Sequence, residues 1–439
     1  MTRIALVVLD TLRSDVFDAH FDWLAGTRFE KAWAPSHWTT PVHASLFTGR
    51  YPSEHGVHAK GQTFDVPGTT LIERLSTAGF TTRGFSANPN VSPAFDFDRG
   101  FDEFGGNTGI RSLSEHVYDW SAFTSEHADG GYLRYVRALR DVLASDCDTV
   151  DSLKWGLLLK LHESGHWSPT DSGASTALKW VQERTFDDDE FVFLNLMEAH
   201  DPYDRIPDEY RTNPDYTPPK NIGLEHVYEP PDLDEIWQSY EDAVRYLSDI
   251  YQRIFTELRS QFDYVVTVSD HGELLGEYGL WGHTYSLHEQ LTQIPLVLSG
   301  KEFTDERRNE VVNLLDVHAT IAELADIDSG DSRGQSLVGD VEPQSRLLEG
   351  HGLTVYRRES LEMKGYDVDP YDRLLRGVVT PPENFGHELT DEWVTVRGDR
   401  DSLQAALEML VADLKIRDSI RDDELSESTM QHLRDLGYA

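Results

Sequence analysis

The chain has 439 residues and a mass of 49.9 kDa, with 39 Lys and Arg set against 78 Asp and Glu, a formal net charge of −39. That length supplies core for one large α/β unit and a small appendage, and an acid excess of this size argues against a nucleic-acid backbone as partner. The acids are interleaved with aromatic and aliphatic residues, which favours a folded chain whose surface resembles that of proteins from a high-salt cytoplasm, as in a halophilic archaeon, where charge screening shortens to a few ångström.

Residues Ile4 to Leu9, IALVVL, form a continuous apolar run of the kind found in a buried parallel strand. It ends at Asp10, so this carboxylate sits at a strand's carboxyl end, where open α/β sheets place their ligands. No leader or anchor precedes the run, no apolar stretch reaches the length of a membrane helix, and Cys147 is the only cysteine; a cytoplasmic location is the expectation. Arg13 follows within reach of the same edge, with a salt bridge to Asp15 as the alternative role.

The segment Thr39 to Arg50, TTPVHASLFTGR, joins a hydroxyl, an imidazole and a helix start. Pro41 disfavours helix before it and suits a first turn, which puts Thr39 just ahead of a helix N-terminus. The helix dipole there favours an alkoxide and a bound anion. His43 lies one turn on, and Gly49 stops the helix. After the strand-like TTRGFSA come Asn88 and Asn90, of which Asn88 is a candidate substrate contact and Asn90 a turn former.

Residues 105–185 interrupt the alternation with helical segments and, together with the Pro-rich and aromatic stretch 202–238, read as a cap over the site. Between them FVFLNLM predicts a further buried strand, which leads to His200. Residues 240–260 have a helical period. The next apolar run, YVVTV, ends at Ser269-Asp270-His271-Gly272, a second carboxylate with a histidine beside it. Asp10, Thr39, Asp270 and His271 make an oxygen-rich set with one nitrogen, suited to one divalent cation such as Mn, Ca, Mg or Zn. After residue 340 the strand signals are LLEGHG, LTVYRR and EWVTVRG, and the tail from Asp401 reads as docking helices.

Taken in order, these segments resemble the sulfatase family of the alkaline phosphatase superfamily. The similarity is carried by the opening strand and Asp10, the loop Thr39–Arg50 with its trailing YPSEHGV, SDHGELLGEYGLWGH at 269–283, HEQLTQIPLVL at 288–298, NLLDVHATIAELADI at 313–327, GQSL at 334–337 and the LRDLGYA ending. The resemblance implies a three-layer α/β/α sandwich with a large, mixed, mostly parallel sheet and a small C-terminal antiparallel sheet. It divides the chain into a catalytic domain, 1–340, with the cap inserted at about 105–185, and a C-terminal subdomain with docking helices, 341–439.

The departures from the family bear on chemistry. Sulfatases carry Cys or Ser in a CxPSR core, where it becomes formylglycine; here the core reads TTPVH, so Thr39 stands at the nucleophile and His43 at the arginine. Thr11 replaces a second family Asp, and His283 replaces the lysine after the metal signature. These changes resemble the threonine-nucleophile branch, which includes phosphodiesterases, phosphonate monoester hydrolases and phosphotransferases. A threonine phosphoester is cleared by in-line attack at phosphorus, whereas a threonine sulfate has no aldehyde route of release.

The implied mechanism has Thr39 attacking phosphorus, Arg13, His43 and His283 stabilising the equatorial oxygens, and His200 protonating the leaving oxygen. Asp204 with His283 offers a second metal site, but the carboxylate–histidine order is reversed from the usual one, so one ion is expected. His318 is expected to be structural. The substrate class is a small-molecule or glycan phosphate or sulfate ester, with the oligomeric state left open. A sulfuric ester hydrolase and a catalytically silent scaffold in surface-polysaccharide assembly are the alternatives.

Overall fold

The computed structural model describes residues 1–106, 118, 120, 123, 133–145, 147–163, 170–390 and 392–417. Much of the predicted cap and the LRDLGYA ending lie outside the described residues. Strand β1, Arg3–Leu9, is buried along its apolar run and sits at the centre of a nine-stranded sheet. Its neighbours are β5, Glu190–Leu196, and β6, Tyr264–Val268, both parallel to it. Beyond β5 come β3, Thr81–Ser86, and β4, Glu103–Gly106, again parallel. On the other side β7, Leu296–Ser299, runs antiparallel to β6 and to β2, Thr27–Trp33, while β8, Glu306–Asn313, is parallel to β2. The sheet is therefore mixed and mostly parallel.

Alternate side chains of β1 divide between two cores, as a period of two requires. Ala5, Val7 and Leu9 pack with the helices Ala174–Gln182 and Leu233–Gln261 on one face. Ile4, Leu6 and Val8 pack on the other with the helices Thr39–Thr48, Leu71–Thr77 and Leu314–Leu324. The helix Leu233–Gln261 shows why one stripe goes inward: Ile236, Tyr240, Ala243, Leu247, Ile250, Ile254 and Leu258 recur at three- and four-residue spacing and are buried. The result is the α/β/α sandwich that the resemblance implied.

The C-terminal sheet is antiparallel, in the order β9, Arg346–His351, β10, Leu374–Thr380, β11, Asn384–Leu389, and β12, Glu392–Arg397. LTVYRR is not one of its strands. Thr354 accepts a hydrogen bond from the Arg357 N–H and caps a helix, Val355–Met363. The short alternation of that segment was overridden by its cap and by the long, helix-favouring residues that follow. From Asp401 the tail forms the helix Arg400–Ala412, whose Leu403 and Leu407 pack against Leu347 and Val378 of the small sheet.

Candidate active site

Four adjacent parallel strands, β6, β1, β5 and β3, deliver their carboxyl ends to one edge of the sheet. Asp10 ends β1, Asp270 and His271 follow β6, His200 follows β5 and Asn88 follows β3. The helix Thr39–Thr48 starts over the same edge, and Gly49 closes it in the left-handed region at φ 69°. Thr39 is the first helical residue, with Trp38 as cap, rather than a residue just ahead of the helix.

Donor atoms of Asp10, Asp270 and His271 lie within 4.8 Å of one another, and all three side chains are buried. Two donors on a common divalent ion at about 2.4 Å are at most about 4.8 Å apart, so the set fits one cation. Two further observations bear on the fit. Asp270 Oδ1 accepts from the N–H groups of Thr11 (3.2 Å) and His271 (2.9 Å), but its fully buried Oδ2 has no hydrogen-bond partner. Burial, reinforced by the Asp10 charge, pushes the Asp270 carboxyl well above the usual carboxylate range, which is the response of an anion pair lacking a compensating positive charge. His271 donates Nδ1–H to the Gly272 carbonyl at 2.9 Å, so Nε2 presents its lone pair toward the carboxylates, the orientation of a metal-ligating imidazole. Burial holds this ring neutral.

Thr39 Oγ1 lies 3.2 Å from His271 Nε2 and 3.4 Å from Asn88 Nδ2. Asn88 Nδ2 also donates to Asp10 Oδ2 at 2.8 Å, so it braces the first carboxylate beside the hydroxyl. Thr11 adopts φ 64°, an unusual backbone for a β-branched residue, and from there its Oγ1 donates to Asp10 Oδ1 at 2.9 Å.

The histidine wall has a definite order. His200 Nδ1 lies 2.7 Å from Asp201 Oδ1, and burial, which alone would favour the neutral ring, is outweighed by Asp201 and Asp10, lifting the pKa to about 10. His283 Nδ1 is 3.0 Å from Glu273 Oε1, whose other oxygen accepts from Tyr203 OH at 3.0 Å. The His283 ring lies 4.6 Å from that of His271 and 5.0 Å from that of His200. His37, drawn down to about 4 by burial, donates Nδ1–H to the His283 carbonyl at 2.7 Å.

Two predicted site residues are placed otherwise. Arg13 has the salt-bridge role: its guanidinium meets Asp15 (2.7 Å), Glu277 (2.5 Å) and the Glu273 carbonyl (2.9 Å) and stacks over Trp237. Its charge meets these acids on the flank of the site. His43 donates Nδ1–H to the Thr39 carbonyl at 2.9 Å, an i to i+4 contact within the helix. Its Nε2 has no partner, and the ring packs among Phe47, Phe97 and Phe193, so it lies beneath the site. His318 is buried between the Leu46 and Ser329 carbonyls, a structural position. Among the described residues, the metal-type cluster does not include Asp204.

Residues missed from sequence are Asn195, Glu273, Tyr203, Asp201 and His37. Asn195 Nδ2 reaches Asp10 Oδ2 at 3.3 Å, and its signal was a lone amide inside the apolar run FVFLNLM. Glu273 and Asp201 stood beside residues already chosen, but a neighbouring acid gives no sequence sign of which ring it will hold.

A site at the carboxyl edge of a mostly parallel sheet, with a small antiparallel sheet following in the chain, places this protein among the alkaline phosphatase-like α/β/α proteins. The sulfatase family model matches residues 19–327, and the chain belongs to the sulfatase family. It is similar to the low-salt glycan biosynthesis sulfotransferase Agl7 of Haloferax volcanii, 26% identical over 325 residues, covering 62% of this chain and 76% of that protein. That match fits the halophilic archaeal source suggested by the acid-rich composition. The uncharacterized sulfatase YidJ of Escherichia coli is 21% identical over 354 residues, covering 74% of this chain and 66% of that one. Among solved structures, the phosphonate monoester hydrolase of Silicibacter pomeroyi superposes with a TM-score of 0.61 at 15% identity, over 94% of each chain. The 2-O GAG sulfatase BT1596 gives 0.57 at 12% identity, over 95% of each. At these identities the likeness is one of fold. No helix among the described residues is long and apolar enough to cross a membrane.

Proposed function

We propose that this protein is an ester hydrolase or transferase in which the Thr39 hydroxyl attacks a tetrahedral phosphorus and carries the transferred group as a threonine ester. The observation that carries this reading is the placement of Thr39 Oγ1, on the first residue of a helix and 3.2 Å from His271 Nε2, beside two buried carboxylates. Asp10, Asp270, His271 and Thr39 would hold one divalent ion. When bound, that ion supplies positive charge that favours the Thr39 alkoxide and polarises the ester oxygens. Its identity among Mn, Ca, Mg and Zn is open.

The chain's own residues supply the rest. Thr39, its proton released to solvent beforehand, attacks as the alkoxide: the Thr39 O–P bond forms, and the bond to the leaving oxygen breaks as that oxygen takes a proton from His200. His283, steadied by Glu273, and the first amides of the nucleophile helix face the transferred oxygens. Water or an alcohol then displaces Thr39 from phosphorus, with His200 taking that proton back.

The charge of the wall favours a singly charged ester. Asp10, Asp270, Asp201 and Glu273 are all carboxylates, and Arg13 is neutralised by Asp15 and Glu277. A divalent ion and the His200 imidazolium leave little positive charge for a phosphate dianion, so phosphodiesters, phosphonate monoesters and glycan-linked esters fit better. In this reading residues 1–340 form the catalytic unit, the cap at 105–185 selects the substrate, and the enzyme works in a high-salt cytoplasm.

A second reading is transfer of a sulfuryl group, favoured by the similarity to a protein named as a sulfotransferase. The test is an activity panel in molar KCl with each divalent ion, comparing aryl phosphodiester, phosphonate monoester, phosphate monoester and sulfate esters. The expected result is turnover of the singly charged phosphorus esters, lowered by at least about a thousandfold in Thr39→Ala. Thr39-dependent turnover of sulfate alone would select the second reading, and full activity of Thr39→Ala would remove the nucleophile.

A further inference from the structure

His200 is held by a residue to which the proposed reaction assigns no part. His200 Nδ1 lies 2.7 Å from both the carbonyl oxygen and the Oδ1 carboxylate oxygen of Asp201. The other carboxylate oxygen, Oδ2, accepts the Ile222 N–H at 2.5 Å. Ile222 is itself fixed from the far side of the site. A Cβ on Gly282, the residue before His283, would lie 2.2 Å from the Ile222 carbonyl oxygen, so Gly282, at φ +76°, is the close approach that seats this strand of chain. Asp201 and His200 are each less than a tenth exposed, and Ile222 is buried. Both oxygens of the Asp201 carboxylate are therefore committed, one to the ring and one to a backbone amide whose position is set by packing.

We propose that Asp201 is a positioning residue for leaving-group protonation: its carboxylate, anchored by the Ile222 amide, fixes the tautomer and orientation of His200 so that Nε2 delivers the proton to the departing oxygen. The proposal rests on the role given to His200 above. Nδ1–H donates to Asp201, so the ring cannot present Nδ1 to the ester, and the negative charge stabilises the imidazolium while the ester binds. The charged and titratable groups around His200 are Asp201 on the following turn, Asp10 from β1, and the His283 and His271 rings from the segment after β6. Asp10 is committed to Asn88, Asn195 and Thr11, and His283 to Glu273, while the Asp201 carboxylate is in hydrogen-bond contact with His200. In the transfer step the His200 Nε2–H bond breaks as the leaving oxygen gains its proton. The neutral ring keeps its Nδ1–H on Asp201 and takes a proton from water or an alcohol when Thr39 is displaced.

The readout is leaving-group dependence, which a merely structural role would not change. The full-length protein, with divalent ion in molar KCl, is assayed on matched 4-nitrophenyl and phenyl esters of the same acid, as phenylphosphonate and as sulfate. The 4-nitrophenolate departs without help and the phenolate needs a proton. Asp201→Asn is expected to lower kcat/KM on the phenyl ester about a hundredfold and on the 4-nitrophenyl ester by no more than about threefold, with KM nearly unchanged. Asp201→Glu should restore part of the difference, and Asp201→Asn should cost nothing further in a His200→Ala background. Equal losses on both esters, or no loss on either, would overturn the proposal. An arm independent of turnover and of any Asp201 variant is proton NMR of the wild-type protein. A far-downfield imidazole N–H resonance, absent from His200→Ala, is expected, and its absence from the wild type would overturn the dyad. Retained activity of Thr39→Ala would remove the covalent intermediate while leaving these outcomes readable, so the two failures are distinguishable.

Discussion

Replacing Asp270 with Asn separates the two roles that the carboxylate pair would play. Asn is nearly isosteric, and its carbonyl keeps the hydrogen bonds that Asp270 Oδ1 accepts from Thr11 and His271. The new amide takes the place of Oδ2, the buried oxygen without a partner, and removes a carboxyl whose ionisation beside Asp10 is unfavourable. Without divalent ions, the variant should therefore be more stable than the wild type by about 1–3 kcal/mol, the cost of a buried polar or charged group left uncompensated.

With the ion the variant's advantage should shrink by about 2.3 kcal/mol. At a concentration about 100 times Kd, binding to the native state adds about 2.7 kcal/mol to the wild type, and a variant whose Kd is about a hundredfold weaker gains only about 0.4 kcal/mol. At about 2.1 cal/mol/K per residue, the entropy of unfolding this chain is roughly 0.9 kcal/mol/K, so the wild-type gain is about 3 °C in Tm and the variant's under about 1 °C. The assay is thermal unfolding in molar KCl with chelator and then with Mn, Zn, Ca or Mg in turn. A variant that is less stable in chelator and gains as much as the wild type from every ion would refute the charge-pair argument and the cation site together.

Three other outcomes follow from particular contacts. Arg13→Gln should act on stability more than on chemistry, costing about 2–3 kcal/mol through its lost charge-assisted hydrogen bonds, with kcat/KM for the folded enzyme within about tenfold of wild type; a fully folded variant without activity would return Arg13 to the substrate. Glu349 is buried but accepts from the Ser53 amide (2.9 Å) and hydroxyl (2.6 Å) beside His351, which brings its carboxyl from 4.5 to about 2 despite burial. A depressed folded value stabilises above the unfolded pKa and is lost as pH falls, so Glu349 should contribute about 3 kcal/mol above about pH 5 that disappears toward about pH 2; urea denaturation across that range should show a shallower acid limb in Glu349→Gln. Gly272→Ala would place a Cβ 2.0 Å from the Gln290 carbonyl oxygen, forcing the backbone that sets the His271 ring to move. Metal-dependent stabilisation and activity should fall together, and a wild-type metal response would show that the orientation of His271 is set elsewhere.

What the sequence by itself determined were features read from local pattern. The buried strand runs before Asp10, His200 and Asp270 have a single hydrophobic explanation, and parallel strands end their ligands at one edge, so the gathering of Asp10, Thr39, Asn88, His200, Asp270 and His271 was legible before any coordinates. The helix behind Thr39 was legible too, because Gly49 fixes where it can stop, although it begins at Thr39, earlier than Pro41 suggested. Tertiary structure decided how side chains point and which acid holds which base. His43 and Thr39 are four residues apart on one helix, yet the ring bonds the Thr39 carbonyl and sinks among three phenylalanines, Phe47 from the same helix and Phe97 and Phe193 from distant segments. Arg13 has Asp15 as a neighbour in sequence, but its second acid, Glu277, arrives from 264 residues away. Asp201 and Glu273 became partners of His200 and His283 only because the chain folds back to set each carboxylate against a ring, and the anchor of Asp201, the Ile222 amide, has no side-chain signature at all. Hydrophobic periodicity is a property of neighbours along the chain, whereas the direction of a charge and the cost of burying it depend on what the whole fold brings against it.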